Sequence, residues 1–379
     1  MDIHACLGCG RRSREALQSD STPVAPFRNR KSLQNFRARR AFPTLTYQQY
    51  PNDSEKEQLR FSRAHSKSWI MQKGCLLYQI LPNVSLLGAL IVQTGCGGAG
   101  YPRPGTGTIP RGAHVFVLVE ENHSYSSIIG NSAMPYTNRL AQRYALATQF
   151  YADTHPSLPN YFMLTVGNPV ASNDLFSGTV TGNNVVRALT AAGKSWKVYA
   201  EALPNVAYTG TAVYPYGKDH NPFAYFSDVI NSTAQAANIV PFTQLATDIQ
   251  NNMLPDYAMI VPNFVNDGHD CPPQMTSCSD TDKLARIDNW IQTNVGPLIS
   301  SSAFGNSVLI YTWDEGNITD VANGGGHIAT ILIGPTVRSG YQSTTMYQHQ
   351  STLKLTMQLL GVTDYPGLAA SAPDMTEFF

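Results

Sequence analysis

Ser157 stands in the stretch Thr154-His155-Pro156-Ser157-Leu158-Pro159-Asn160-Tyr161. Pro159 has no N–H to donate, so it belongs in the first turn of a helix. Leu158 to Val166 reads as that helix, with Gly167 as its stop. Ser157 then falls at the helix start, where free N–H groups and the helix dipole attract an anion. A hydroxyl there is placed for nucleophilic attack, or serves only as an N-cap. Two pairs of acids and amides, Glu121-Asn122 and Asp314-Glu315, and the longer run Asn263 to Asp270 each follow an apolar stretch. Carboxylates gathered on one rim repel one another unless a cation sits among them. Oxygen ligands suit Ca²⁺, Mg²⁺ or Mn²⁺, and His269 and His327 widen the choice to Zn²⁺ or Fe. Such a cation would bind the Ser157 oxygen, stabilise its alkoxide and offset charge on a bound anion.

Several neighbours have plainer readings. Glu120 should point away from Glu121, since strand neighbours alternate. His114 opens a strand and reads as structural, and His123 as a flank of the Glu121-Asn122 pair. Asp153 and Asp270 fit as turn formers. His349 and Ser351 fit as the start of the last helix.

The elements that must position these residues alternate along the chain. His114–Val119, Thr148–Ala152, Ser195–Ala200, Asp256–Val261, Ser307–Thr312 and Ile328–Ile333 read as strands, several of them continuous apolar runs. Pro135–Leu146, with Thr137 as a cap, Asn184–Ala192, Phe242–Asn251, Asp282–Ile299 and Ser351–Leu360 read as helices. This order predicts an α/β fold: a mostly parallel central sheet flanked by helices, with ligands at the carboxyl ends of the strands.

The chain has 379 residues and no net charge, which hides an asymmetry. Residues 1–73 hold 14 of the 26 basic residues against 6 acidic ones, leaving 12 basic and 20 acidic in the remainder. That acidic body argues against nucleic acid as a partner. Residues 1–70 lack apolar periodicity and are expected to be disordered, or mistranslated sequence upstream of a start at Met71. Residues 71–96 read as a signal peptide: Lys73, the apolar run Val84–Val92, then small residues up to Gly95-Cys96. Gly95-Cys96 suggests lipoprotein cleavage with a lipid anchor at Cys96, although Gln93 departs from that pattern. The apolar run is too short for a membrane span. Residues 97–111 form a Gly- and Pro-rich linker, and 112–379 a single catalytic domain. Of the six cysteines only Cys271 and Cys278 lie in that domain, and they are placed to close a small disulfide loop suited to an exported protein.

Glu121-Asn122-His123-Ser124-Tyr125, His155 to Tyr161, Lys218 to Phe223, Pro262 to Asp270, Trp313 to Gly316 and Gly326-His327 together resemble the phosphoesterase family of bacterial acid phosphatases and phosphatidylcholine-type phospholipases C, within the alkaline phosphatase superfamily. The resemblance covers nearly all of 112–362 and implies an alkaline phosphatase-like α/β/α sandwich. It implies Glu121, Asn122, Asp314 and Glu315 as metal ligands, and Ser157 as nucleophile and fifth ligand. It also implies that Asn160 contacts the phosphoryl group, with His269 and His327 lining its other side. Lys218, His220 and Asn221 join the substrate-binding set through their motif. Two-metal relatives carry Asp-His where Asp314-Glu315 stands, so one metal is expected. Leu158-Pro159-Asn160 after the serine argues against a sulfatase.

The expected function is metal-dependent hydrolysis of phosphoric esters through a phosphoseryl intermediate. His269 or His220 would assist the leaving group. A small phosphate ester or a phospholipid headgroup is the expected substrate, with few Lys and Arg available to meet a dianion. The competing reading is an exported, non-catalytic cell-surface binding protein on the same fold.

Overall fold

Strand Val115–Glu120 (β1) is buried along its whole length because parallel strands cover both its edges. A computed structural model of the protein describes residues 109–112 and 114–379, so the expectations for 1–70, 71–96 and nearly all of the 97–111 linker lie outside the described residues. The other strands are Ala145–Tyr151 (β2), Trp196–Ala200 (β3), Ile239–Pro241 (β4), Tyr257–Val261 (β5), Val308–Trp313 (β6), His327–Ile333 (β7) and Gln342–Ser343 (β8). They form one eight-stranded sheet in the order β4-β3-β5-β1-β6-β7-β2-β8. Only β7 runs against its neighbours β6 and β2; every other pairing is parallel. The carboxyl ends of β1, β2, β3, β5 and β6 therefore share one rim, and β7 starts from it at His327.

Register then sets the chemistry. Glu120 pairs with Trp313, so the next residues, Glu121 and Asp314, leave the sheet side by side. Tyr151 pairs with His327, which brings the Ser157 loop after β2 to the same place.

The principal helices are Pro135–Arg143 (α1), Ser157–Thr165 (α2), Val185–Ala191 (α3), Gln244–Gln250 (α4), Asp280–Trp290 (α5) and His349–Leu360 (α6). Helix α2 packs on α6, which reaches β1, while α1 packs on α5, β2 and β7. The expected α/β sandwich is thus the observed fold.

Three boundaries depart from the expectations. Helix α1 ends at Arg143, because Ala145 to Ala147 pair with β7 and open β2 three residues before its expected start. Its N-cap is Met134, and the acceptors come from across the fold: Asp288 takes the N–H groups of Tyr136 at 2.9 Å and Thr137 at 2.7 Å. The expected long helix from Asp282 starts at Asp280 behind a Ser279–Asp282 capping box and stops at Trp290. A π-helical turn, Ile291–Val295, and the short helix Gly296–Ser300 follow it. Pro297 is the reason: it cannot donate to the carbonyl four residues back and its ring crowds that turn. The remaining boundaries shift by one or two residues, as helix and strand ends commonly do.

Candidate active site

Ser157 is the first residue of α2, directly after the N-cap Pro156, and is 5 % exposed. Its Oγ donates to Glu121 Oε2 at 3.0 Å. The same carboxylate receives Asn122 Nδ2 at 2.9 Å and Tyr161 OH at 2.7 Å, and His220 Nε2 lies 3.2 Å from Oε1. Asn122 sits in the left-handed region at φ 55°, which asparagine tolerates better than most residues. That turn lets its main-chain N–H reach Asp314 Oδ1 at 3.2 Å.

Three carboxylates meet here. Glu121 and Asp314 are fully buried and Glu315 nearly so. Burial, then the nearby Asp314 and Asp267, hold the Glu121 carboxyl well above its usual range. Burial and then Glu315 push Asp314 up to about 8. Glu315 is raised by burial, against the opposing pull of His155, whose Nδ1 lies 3.0 Å from Oε2. His155 is in turn raised chiefly by that contact. Asp314 Oδ2 is buried with no hydrogen-bond partner. Among the described residues, no three His, Cys, Asp or Glu side chains already stand as a cation cage.

The other expected site residues fall in different places. Asn160 is fully buried and braces the loop before Ser157: its Oδ1 accepts from Asp153 and Thr154 N–H at 3.1 and 3.2 Å, and its Nδ2 donates to Thr154 O at 2.7 Å. His220 is wedged between Glu121 and Asp267, with Nδ1 3.1 Å from Asp267 Oδ2. Burial opposes its charged form, but the Asp267 hydrogen bond and surrounding acids win and lift it to about 9. Asn221 is buried and donates to Tyr216 OH at 3.1 Å. Lys218 lays its Nζ over the Tyr225 ring, 4.4 Å from the centroid. His269 is open, its side chain 44 % exposed, with Nδ1 3.0 Å from Asp270. Burial opposes its proton, yet Asp270 raises it overall. His327 is stacked between Tyr125 and Tyr151, and its Nε2 lies 3.0 Å from Thr148 O. The histidine that meets the acid pair is His155.

Residues outside the expected set complete the arrangement. Asp267 holds His220 from below, Tyr161 holds Glu121, and Asp320 ties Ser124 Oγ at 2.8 Å and His327 N–H at 3.1 Å while its carbonyl meets His155 Nε2. Asp267 and Tyr161 lie within the motifs and Asp320 between two of them, and only the fold shows that they face the site. Of the plainer readings, His114 is structural, bonded to Pro255 O, and His123 flanks the acid pair by bonding Glu121 O.

A buried serine hydroxyl meets three acids at the carboxyl rim of a mostly parallel sheet, the place where open α/β folds bind ligands. The phosphoesterase family profile matches residues 131–363, and the chain belongs to that family. It is 30 % identical over 308 residues, covering 80 % of this chain and 95 % of the relative, to a phosphatidylinositol-3-phosphatase of Mycobacterium tuberculosis. An acid phosphatase of Aspergillus fumigatus is 31 % identical over 246 residues, 62 % of this chain and 51 % of the fungal one. A solved protein of the alkaline phosphatase superfamily from Vibrio parahaemolyticus shares the fold at 14 % identity, with a TM-score of 0.51 over 70 % of this chain and 72 % of that one. The protein is a phosphoric ester hydrolase. Among the described residues no helix is long and apolar enough to cross a membrane.

Proposed function

We propose that hydrolysis runs through Ser157 as nucleophile and a phosphoseryl intermediate, with one divalent metal ion held by Glu121, Asn122, Ser157, Asp314 and Glu315. The observation that carries this reading is the Ser157 hydroxyl itself, buried at the start of α2 and hydrogen-bonded to Glu121 beside Asp314. The donor set fits a hard cation: it is all oxygen, and its carboxylates are crowded and hard to ionise. Asp314 Oδ2, buried and unpartnered, is the atom most in need of a positive neighbour. When bound, the metal would favour the Ser157 alkoxide and offset charge on the phosphoryl oxygens.

The chain's own steps follow. Ser157 gives up its proton through the bond to Glu121, and its oxygen attacks phosphorus as the ester oxygen departs. His269 is the group that protonates the departing oxygen, because it is open to the rim while His220 is enclosed between two acids. Water, deprotonated by the same His269, then attacks the phosphoserine and releases phosphate, and Glu121 returns its proton to the Ser157 oxygen. The relatives' names favour a phosphomonoester, on a small molecule or a phospholipid headgroup, over the diester of a phospholipase C. Export belongs to this reading, and the Cys271–Cys278 disulfide supports it.

The test is Ser157→Ala with p-nitrophenyl phosphate, after metal analysis of the purified protein. Turnover should fall at least roughly a thousandfold with the circular dichroism spectrum unchanged. Full activity in the variant would end this mechanism.

A further inference from the structure

We propose that Asp174 sets the charge of the phosphoester this site accepts, holding the main-chain N–H beside the nucleophile and disfavouring a phosphoryl group that arrives with two negative charges. This rests on the reading of Ser157 as nucleophile. The Leu158 N–H donates to Asp174 Oδ1 at 2.9 Å. Pro159 has no N–H, so the first turn of α2 offers few donors, and the one directly after Ser157 is taken by a carboxylate of the chain itself. An anion arriving at Ser157 meets that carboxylate.

The position is part of the site electrically as well as by contact. Burial raises the Asp174 carboxyl, the Leu158 N–H, His220 and His269 pull it the other way, and Asp174 in turn adds to the raised Glu315. Asp314, with its buried unpartnered oxygen, interacts with the Ser157 hydroxyl, so the space next to Ser157 is lined by a polar atom awaiting a ligand. Lys218 is turned onto Tyr225, so the positive charge that faces Asp174 comes from His220 and His269. Among the described residues, Asp174 also makes the one hydrogen bond from segment 168–178 to the rest of the domain, assisted by Phe176 packing edge-on against Phe162. A carboxylate carried on so lightly tethered a segment acts as a charge filter rather than as a buried brace.

Asp174→Asn separates charge from capping, because an amide oxygen accepts from Leu158 N–H as well as a carboxylate does. Two probes are used at pH 8: p-nitrophenyl phosphate, a dianion there, and bis-p-nitrophenyl phosphate, a monoanion. The kcat/KM ratio of monoester to diester should rise roughly threefold or more, and inhibition by inorganic phosphate should tighten by a similar factor. An unchanged ratio with unchanged phosphate inhibition overturns the proposal. So does a loss of activity and Tm in Asp174→Ala with Asp174→Asn like the parent, which would make Asp174 a cap and nothing more. Calorimetry of inorganic phosphate on Ser157→Ala, with and without Asp174→Asn, reads the same charge effect without turnover. Tighter phosphate in the double variant supports the proposal even if Ser157 proves not to be the nucleophile, and equal affinity refutes it. Ser157-dependent turnover of the parent is scored separately.

Discussion

Glu121 accepts from Ser157, Asn122 and Tyr161 and meets His220, so four side chains converge on one buried carboxylate. Asp267 stands behind His220 and is itself buried, with its other oxygen taking the His269 N–H at 2.8 Å. The row Tyr161–Glu121–His220–Asp267 is what keeps Ser157's acceptor at hydrogen-bond distance. Removing one partner of a buried charged pair costs more than never having had it, because the other partner stays behind without water. Asp267→Ala leaves the His220 ring facing Glu121 unsupported. Urea unfolding should show a loss of about 3 kcal/mol, and kcat should fall along with it. A loss below about 1 kcal/mol would mean that water replaces the carboxylate and that the row is not a structural unit.

At the scale of elements, the loops that meet over the site do so through glycine. Gly325 N–H bonds Ala152 O at 3.1 Å, and Ala152 N–H bonds Gly326 O at 3.0 Å, so the loop before β7 lies directly on the loop before Ser157. A Cβ on Gly325 would lie 2.2 Å from Thr154 O. Neither backbone can yield without moving His155-Pro156-Ser157. Gly325→Ala should cost about 2 kcal/mol or more in unfolding experiments and lower kcat/KM by a larger factor than the same loss of stability causes elsewhere. Parent-like kinetics in this variant would show that the Ser157 loop is not set by that contact. These contacts also mark what was legible in the sequence. The apolar runs ending in Glu121 and Asp314 announced buried strands and their rim, and Pro159 announced the start of α2, because both signals are local. The caps of α1 and α2 were not legible. They come from Asp288 and Asp174, 151 and 16 residues along the chain from the N–H groups they receive at Thr137 and Leu158. The role of His327 failed to follow from its motif for the same reason: Tyr125 and Tyr151, which clamp it, arrive from other strands and loops. His155 was passed over because a residue two places before Ser157 looks like a neighbour until the fold shows it against Glu315.

Across the whole molecule, an acidic body concentrates its hardest-to-ionise carboxyls at one rim, and this gives stability a dependence on pH that single contacts do not show. Asp153 is the cleanest case. It caps α6 through His349 N–H at 3.3 Å, and burial lifts it to about 7, with the His349 and Gln350 contacts pulling the other way. In the unfolded chain an aspartate gives up its proton near pH ~4. Between about pH 4 and 7 the native state therefore holds a proton that the unfolded state has lost, and stability falls as pH rises through this window. Above about 7 both states are ionised and the loss is complete. Asp248, Asp256 and Asp320 work in the opposite sense: burial resists, but their hydrogen bonds lower them, so their stabilisation is present above about pH 4 and fades below it. Asp153→Asn keeps an acceptor for His349 N–H and removes the titration. Its Tm relative to the parent should therefore be more favourable at pH 8 than at pH 4, with the difference developing between those two values. A difference that is constant with pH would show that Asp153 ionises as freely in the folded protein as in the unfolded chain. The link it makes between the Ser157 loop and α6 would then be held by its backbone alone.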